Sequence, residues 1–166
     1  MRRRVSEDFA VYAQARQQHL FRTAYLLCGD RDRAQDLVQS ALVSLLRSWR
    51  RASKADNPEA YARKVLVRNF LAEQRKLRRE AEAHRLPDAP ASGENAALRV
   101  LVLDALRALP PKPRAMVILR YWEDLSIAQT AALLGCSEGN VKSQCSRSLD
   151  KLRELLGSQF HELIES

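Results

Sequence analysis

The chain has 166 residues, 28 Lys and Arg against 20 Asp and Glu, a formal charge of +8, and apolar types at 46%. That length builds one domain or two small ones, and the apolar share is too high for a wholly disordered chain. Only five Gly and six Pro occur, which argues against a turn-rich all-β architecture, and no apolar run approaches the ~18 residues of a membrane span.

The start, MRRRVSEDFA, is basic but leads into no apolar stretch, so it does not read as a secretory signal. Cys28, Cys136 and Cys145 are odd in number and form no CxxC pair. A disulfide framework and a zinc ribbon are therefore not expected, and a reducing cytoplasm is the default location. No metal or cofactor is expected either. His19, His84 and His161 are scattered, and neither a glycine-rich phosphate loop nor a metal-ligand spacing occurs, so the chain does not read as an enzyme.

In chain order, periodicity and punctuation predict helices over 7–28, 33–51, 58–79, 97–109, 112–122, 126–134 and 138–156, with no strand and no internal repeat. The first ends at Gly29. In 33–51, Ala34, Leu37, Val38, Ala41, Leu42, Leu45 and Trp49 recur at spacings of three and four. Asn57 is the expected N-cap before Pro58 at the first helical position. In 58–79, Tyr61, Ala62, Val65, Leu66, Asn69 and Phe70 share one arc, while Lys64, Arg68, Arg75 and Arg78 lie opposite. Residues 80–96 show no such face and hold Pro87, Pro90 and Gly93, which reads as a flexible linker. Pro110, Pro111 and Pro113 precede the next helix.

Charge follows the same division. Residues 1–79 carry 18 basic and 8 acidic side chains, 80–98 carry 1 and 4, and 99–166 carry 9 and 8. A basic first half, an acidic connector and a near-neutral second half point to two modules, with a polyanion as partner of the first.

The sharpest local signal runs from Ser126: SIAQTAALLGCSEGNVKSQCSRSLDKLRELL. Ile127, Ala131 and Leu134 give a short helix its inner side. Gly135 suits a left-handed turn, and Ser137 caps a second helix. Val141, Cys145, Leu149, Leu152 and Leu156 form one apolar stripe. Gly139, Asn140, Ser143 and Arg147 lie nearly opposite, with Lys142 and Gln144 on the flanks. This is a helix-turn-helix whose second helix fits a major groove. Its outer face has few acids, and Glu138 sits in the first turn, where it suits the helix dipole.

Three segments together resemble a known family: AYLLCGDRDRAQDLVQSALVSLLRSW (24–49), NPEAYARKVLVRNFLAEQRKLRR (57–79) and LRALPPKPRAMVILRYWEDLSIAQTAALLGCSEGNVKSQCSRSLDKLREL (106–155). They look like regions 2 and 4 of the extracytoplasmic-function (ECF) group of bacterial sigma-70 factors, and the last segment is similar to actinobacterial SigE-like members. The resemblance implies an all-α chain of two small helical domains: a region 2 bundle over 1–79, a linker over 80–98, and a region 4 helix-turn-helix over 99–166.

It also implies partners and sites. The helix 33–51 would dock on the β′ clamp helices of core RNA polymerase through Asp36, Leu37, Gln39, Leu42 and Val43. Where the family often has an acid, this chain has Ser40. The loop 51–57 with Lys54, and the helical residues Lys64, Arg68, Asn69, Arg75, Lys76 and Arg78, would recognise and help to melt the −10 element. Region 4 would read the −35 duplex with Asn140, Ser143, Gln144 and Arg147, would hold phosphates with Lys142 and Arg114, and would touch the β flap. Asn140, Gln144 and Gln129 depart from the residues usual in the family, which bears on the −35 sequence rather than on the mode of binding. An anti-sigma factor covering the polymerase-binding surfaces is a further implied partner, and no membrane insertion is implied.

Geometry allows one chain to hold both elements. Sites ~20 base pairs apart are roughly 65–70 Å from each other at 3.4 Å per step. An extended 79–98 segment spans at most ~65 Å before the width of the modules is added. Two other readings compete. The C-terminal block alone resembles a stand-alone dimeric regulator, but 24–79 shows no ligand-sensing or dimerisation logic. A sigma mimic that titrates a regulator would have eroded its DNA-facing charges, whereas these are retained. The three thiols read as structural, buried groups.

Overall fold

The computed structural model describes residues 2–54, 57–84 and 97–158. The described residues form helices joined by short turns, without strands, in this order: α1 (Arg2–Cys28), α2 (Arg31–Arg47), α3 (Trp49–Lys54), α4 (Pro58–His84), α5 (Ala97–Arg107), α6 (Pro111–Val117), a π turn (Ile118–Trp122), α7 (Ile127–Leu134) and α8 (Glu138–Leu156). The chain divides into two compact units, Met1–Arg75 and Lys76–Ser166. The connector expected over 80–98 is helical at both ends, since α4 runs on to His84 and α5 begins at Ala97. Residues 85–96 lie outside the described residues.

In the first unit, α1 packs along α2, and α3 packs against both. Gly29, at φ +72°, ends α1, and Asp30 caps α2 by accepting from the Arg33 amide at 3.1 Å. The core combines Leu20, Ala24 and Leu27 of α1 with Ala34, Leu37, Val38, Ala41 and Leu45 of α2, and with Ala62, Leu66, Val67 and Phe70 of α4. In α2 these are the positions that the i, i+3, i+4 rhythm singles out; in α4, Ala62, Leu66 and Phe70 match the expected arc, while Val67 is buried outside it and Tyr61, Val65 and Asn69 are only half-buried.

The helix expected over 33–51 is in fact two. Ser48 leaves the helical conformation at φ −108°, ψ 15°, and its hydroxyl meets the Tyr61 hydroxyl at 3.0 Å. The break turns Trp49 inward, edge-on to Phe9 at 5.7 Å and near Tyr12 at 5.6 Å. Burying the indole among rings outweighs one more turn of regular helix. The expected loop 51–57 shortens accordingly, because α3 continues to Lys54.

In the second unit, α8 packs on α5, α6 and α7. Ala105, Leu106 and Leu109 join Ala115 to Leu119, Leu125, Ala131, Val141, Cys145 and Leu152 in its core. The expected single helix 112–122 changes character at Ile118, where the backbone widens into a π turn. The Glu123 amide then donates to the Ile118 carbonyl at 3.0 Å, and the Leu125 amide to the Leu119 carbonyl at 2.9 Å. Ile118 and Leu119 stay buried, while Tyr121 and Trp122 face outward. Asp124 follows in a left-handed conformation, φ +56°, as the chain turns into α7.

Candidate nucleic-acid interface

The helix-turn-helix is fixed by three local devices. Ser126 and Gln129 form a reciprocal capping box at the start of α7: the Gln129 amide donates to Ser126 Oγ at 3.0 Å, and the Ser126 amide donates to Gln129 Oε1 at 2.9 Å. Gln129, a departure from the family pattern, thus performs a capping job that Glu would also perform. Gly135 takes φ +66°, ψ 41°, the left-handed geometry that a Cβ would strain. Ser137 caps α8 by accepting from the Asn140 amide at 3.1 Å.

These devices set the rotation of α8. Val141, Cys145, Ser148 and Leu152 are buried. Lys142, Ser143 and Arg147 are exposed, with Asn140 and Gln144 half-buried beside them. A Cβ added at Gly139 would meet no atom of the protein, so the first turn of α8 is open backbone at that position. The Ser143 hydroxyl donates to the Asn140 carbonyl at 3.3 Å, which leaves its lone pairs outward.

Arg114 does not belong with these residues. It is 7% exposed, and Nη2 donates to the Leu109 carbonyl at 2.9 Å and to the Arg107 carbonyl at 3.4 Å. The phosphate contact expected of Arg114 is corrected to a structural role. Pro110 and Pro111 bring no N–H to the carbonyls that end α5, and the guanidinium supplies donors in their place. The sequence carried that signal in LPPKPR, where a cation follows a proline pair.

On α4, Lys64, Arg68 and Arg75 of the first unit are exposed cations, as are Lys76 and Arg78 just beyond its end, and Lys54 ends α3 exposed. Asn69 is half-buried on the arc facing the bundle. The acids of this stretch turn the other way. Glu59 pairs with Arg16 of α1, and Glu73 with Arg33 of α2 at 2.6 Å. Each pair ties α4 to the bundle and removes a carboxylate from the outer side. The face with Lys64 and Arg68 is therefore more positive than composition alone predicts.

Along α2, Asp36, Gln39 and Val43 are exposed, Val43 at 47%. Leu37 and Leu42, expected as contacts, are instead core residues at 3% and 8% exposure, because the apolar period turns both toward the bundle. Leu46, which the sequence reading passed over, is 45% exposed. It follows Val43 by three residues and so shares its side of the helix, a spacing visible in the sequence. Gln39 also borders a groove of about 420 Å³ between α1 and α2, where Gln14, Gln17, Gln18 and Gln35 surround Phe21 and Val38.

Burial raises the thiol pKa of Cys28 and of Cys145, so both are neutral near pH 7; Cys28 Sγ donates to the Asp30 carbonyl at 3.3 Å. Cys28 and Cys145 are buried packing groups, whereas Cys136, expected to be buried as well, is half-buried. No helix among the described residues is long and apolar enough to cross a membrane.

Comparison with known proteins agrees with this geometry. The family model "Sigma-70 region 2" matches residues 13–80, and "Sigma-70, region 4" matches residues 99–152. The RNA polymerase sigma-E factor of Streptomyces avermitilis is 42% identical over 156 residues, covering 92% of this chain and 87% of that protein. The sigma-E factor of Streptomyces coelicolor is 40% identical over 153 residues, 90% and 86% of the two chains. The ECF RNA polymerase sigma factor SigL of Mycobacterium tuberculosis is 34% identical over 145 residues, 81% and 80%. Among solved structures, the sigma factor RpoE of Bartonella quintana, in complex with the anti-sigma factor NepR, superposes with a TM-score of 0.75 at 27% identity, covering 92% of this chain and 98% of that one. A capped recognition helix in one unit, a cationic helix in the other, and matches to both regions over most of the chain lead to one assignment: the chain belongs to the sigma-70 family, in its ECF group of transcription initiation factors, and is not an enzyme.

Proposed function

We propose that the chain binds core RNA polymerase in the cytoplasm and directs it to promoters with a −10 and a −35 element. One observation carries the residue-level reading: the outer face of α4 and the outer face of α8 are both cationic and accessible, while the acids nearest the first are paired inward.

The domains would divide the work, with 1–79 acting on the −10 element and 99–166 on the −35 element. On α4, Lys64, Arg68, Arg75, Lys76 and Arg78 would track the phosphates of an opened strand, with Lys54 at the near end. Asn69 would contact a base at the edge of the bundle. Strand opening costs pairing and stacking, and phosphate and base contacts made only with the separated strand offset that cost. On α8, Asn140, Ser143, Gln144 and Arg147 would meet base edges of the closed duplex, and Lys142 a phosphate.

Asp36, Gln39, Val43 and Leu46 would form the contact with the β′ clamp helices, with Leu37 and Leu42 supporting them from below. Region 4 would also touch the β flap. An anti-sigma factor would compete for these surfaces.

Run-off transcription with core polymerase over genomic fragments tests the proposal. Added protein should produce starts that core alone does not. No new start on any fragment, or a footprint of the free protein on palindromic half-sites, would favour a stand-alone regulator instead.

A further inference from the structure

The short α3 is cationic on its outer side, and the strand track proposed on α4 uses only its last residue. Along WRRASK, Trp49 and Ala52 are buried, while Arg50, Arg51 and Lys54 are exposed. At 100° per residue, Lys54 falls between Arg50 and Arg51, on the side opposite the buried pair. The seating of Trp49 against Phe9 and Tyr12 fixes that rotation. A pocket of about 460 Å³ lies at the corner where α2 gives way to α3. Arg47, Arg50 and Arg51 line it, together with Ser48 and with Val5 and Ser6 of α1. No acid lines it, although Glu7 and Asp8 follow Ser6 directly in the chain.

These guanidiniums differ from the others of the bundle. Arg16 and Arg33 are paired with Glu59 and Glu73. Arg47, Arg50 and Arg51 hold no side-chain hydrogen bond or ion pair among the described residues, and all three are exposed. Like charges gathered at one corner repel each other, and an anion between them relieves that repulsion. The spacing favours a chain of anions over a single one. Arg47, then Arg50 and Arg51, then Lys54 follow one another at three and four residues, so a cation recurs about every 4.5–6 Å of helix rise. A phosphodiester backbone carries one charge per nucleotide, and its two free oxygens match the guanidinium fork. Lys54 also stands at the near end of the strand track on α4, so the line prolongs that track.

We propose that Arg47, Arg50 and Arg51 bind two further phosphates of the opened strand, beyond Lys54 and away from α4. This rests on the reading of α4 as the track of that strand. Leu46, which also lines the pocket, belongs to the polymerase contact proposed above. The added phosphates would therefore be held where the factor meets the polymerase.

Fluorescence anisotropy of the full chain with labelled oligo(dT), and with a labelled duplex, titrated over a range of salt, tests the proposal. Arg47→Gln/Arg50→Gln/Arg51→Gln should lower the salt slope for the single strand by about 1.4, at about 0.7 for each phosphate, and leave the duplex slope unchanged. Arg47→Lys/Arg50→Lys/Arg51→Lys should keep the slope, and Arg50→Gln alone should show a smaller fall in the same direction, all with the helical circular dichroism unchanged. An unchanged single-strand slope in the triple Gln variant would overturn the proposal, as would an equal loss on the duplex. If that variant keeps its single-strand slope but drops out of a co-sedimenting complex with core polymerase, the pocket serves a protein partner and the proposal is likewise overturned. Lys64→Gln/Arg68→Gln separates the two claims. If it spares the single strand while the pocket variant does not, the reading of α4 fails and the phosphate site on Arg47, Arg50 and Arg51 stands.

Discussion

The two units reach a cationic surface by different means. In the first, α4 is rich in both signs, and the surface becomes positive because Glu59 and Glu73 are drawn inward to Arg16 and Arg33. In the second, α8 carries nearly balanced charge, four cations against three acids, and a few groups are aimed by caps and a left-handed glycine. The first arrangement suits a flexible strand whose phosphates can be followed by many side chains. The second suits a rigid duplex, where position matters more than total charge. The contrast teaches that sorting of acids and orientation of a helix are separate routes to a polyanion site.

The largest expected effect breaks the first unit alone. Phe70→Ala should cost about 3–5 kcal/mol through its cavity, read by chemical denaturation. Binding of a −35 duplex should persist, because the second unit has its own core; loss of both together would dissolve the contrast. Next, Arg114→Ala should destabilise the second unit by about 1.5–3 kcal/mol, leaving the carbonyls at the end of α5 without their charged donor. In calorimetry Arg114→Lys should recover only part, since one ammonium cannot reproduce the planar fork.

Arg147→Ala should weaken −35 duplex binding by about 1–3 kcal/mol and leave binding to a −10 single strand unchanged, measured by fluorescence anisotropy. Equal loss on both nucleic acids would mean that α8 does not read closed duplex selectively. Ser137→Ala should cost about 1 kcal/mol of stability by removing the α8 cap. The smallest stability change is expected from Val43→Asp/Leu46→Asp, within about 0.5 kcal/mol per site because both are exposed. The same pair should nonetheless fall out of a co-sedimenting complex with core polymerase; full retention would move the docking surface elsewhere on the unit.

Much of this architecture was legible in the residues. The helix-turn-helix could be read because its determinants are local: Ser126, Gly135 and Ser137 act within four residues of themselves. The all-α class and the two-module division followed from periodicity and from the placement of Gly and Pro. What escaped was non-local. The break at Ser48 depends on Phe9 and Tyr12 receiving Trp49 from another helix. The inward turn of Glu59 and Glu73 depends on arginines about forty residues away. Leu37 and Leu42 came as contacts from the family pattern, although their own periodicity already placed them inside. Arg114 likewise came with the family pattern, when the neighbouring prolines held the better clue.

Because Arg114 is closed off from solvent, mobile electrolyte cannot condense near it or be expelled from it. On the function proposed above, a titration of duplex affinity against ionic strength would count outward cations of the second unit and not Arg114, with Lys142 and Arg147 foremost among them. The slope of that titration becomes a ruler for how much of the positive charge in a formula is actually available to a nucleic acid.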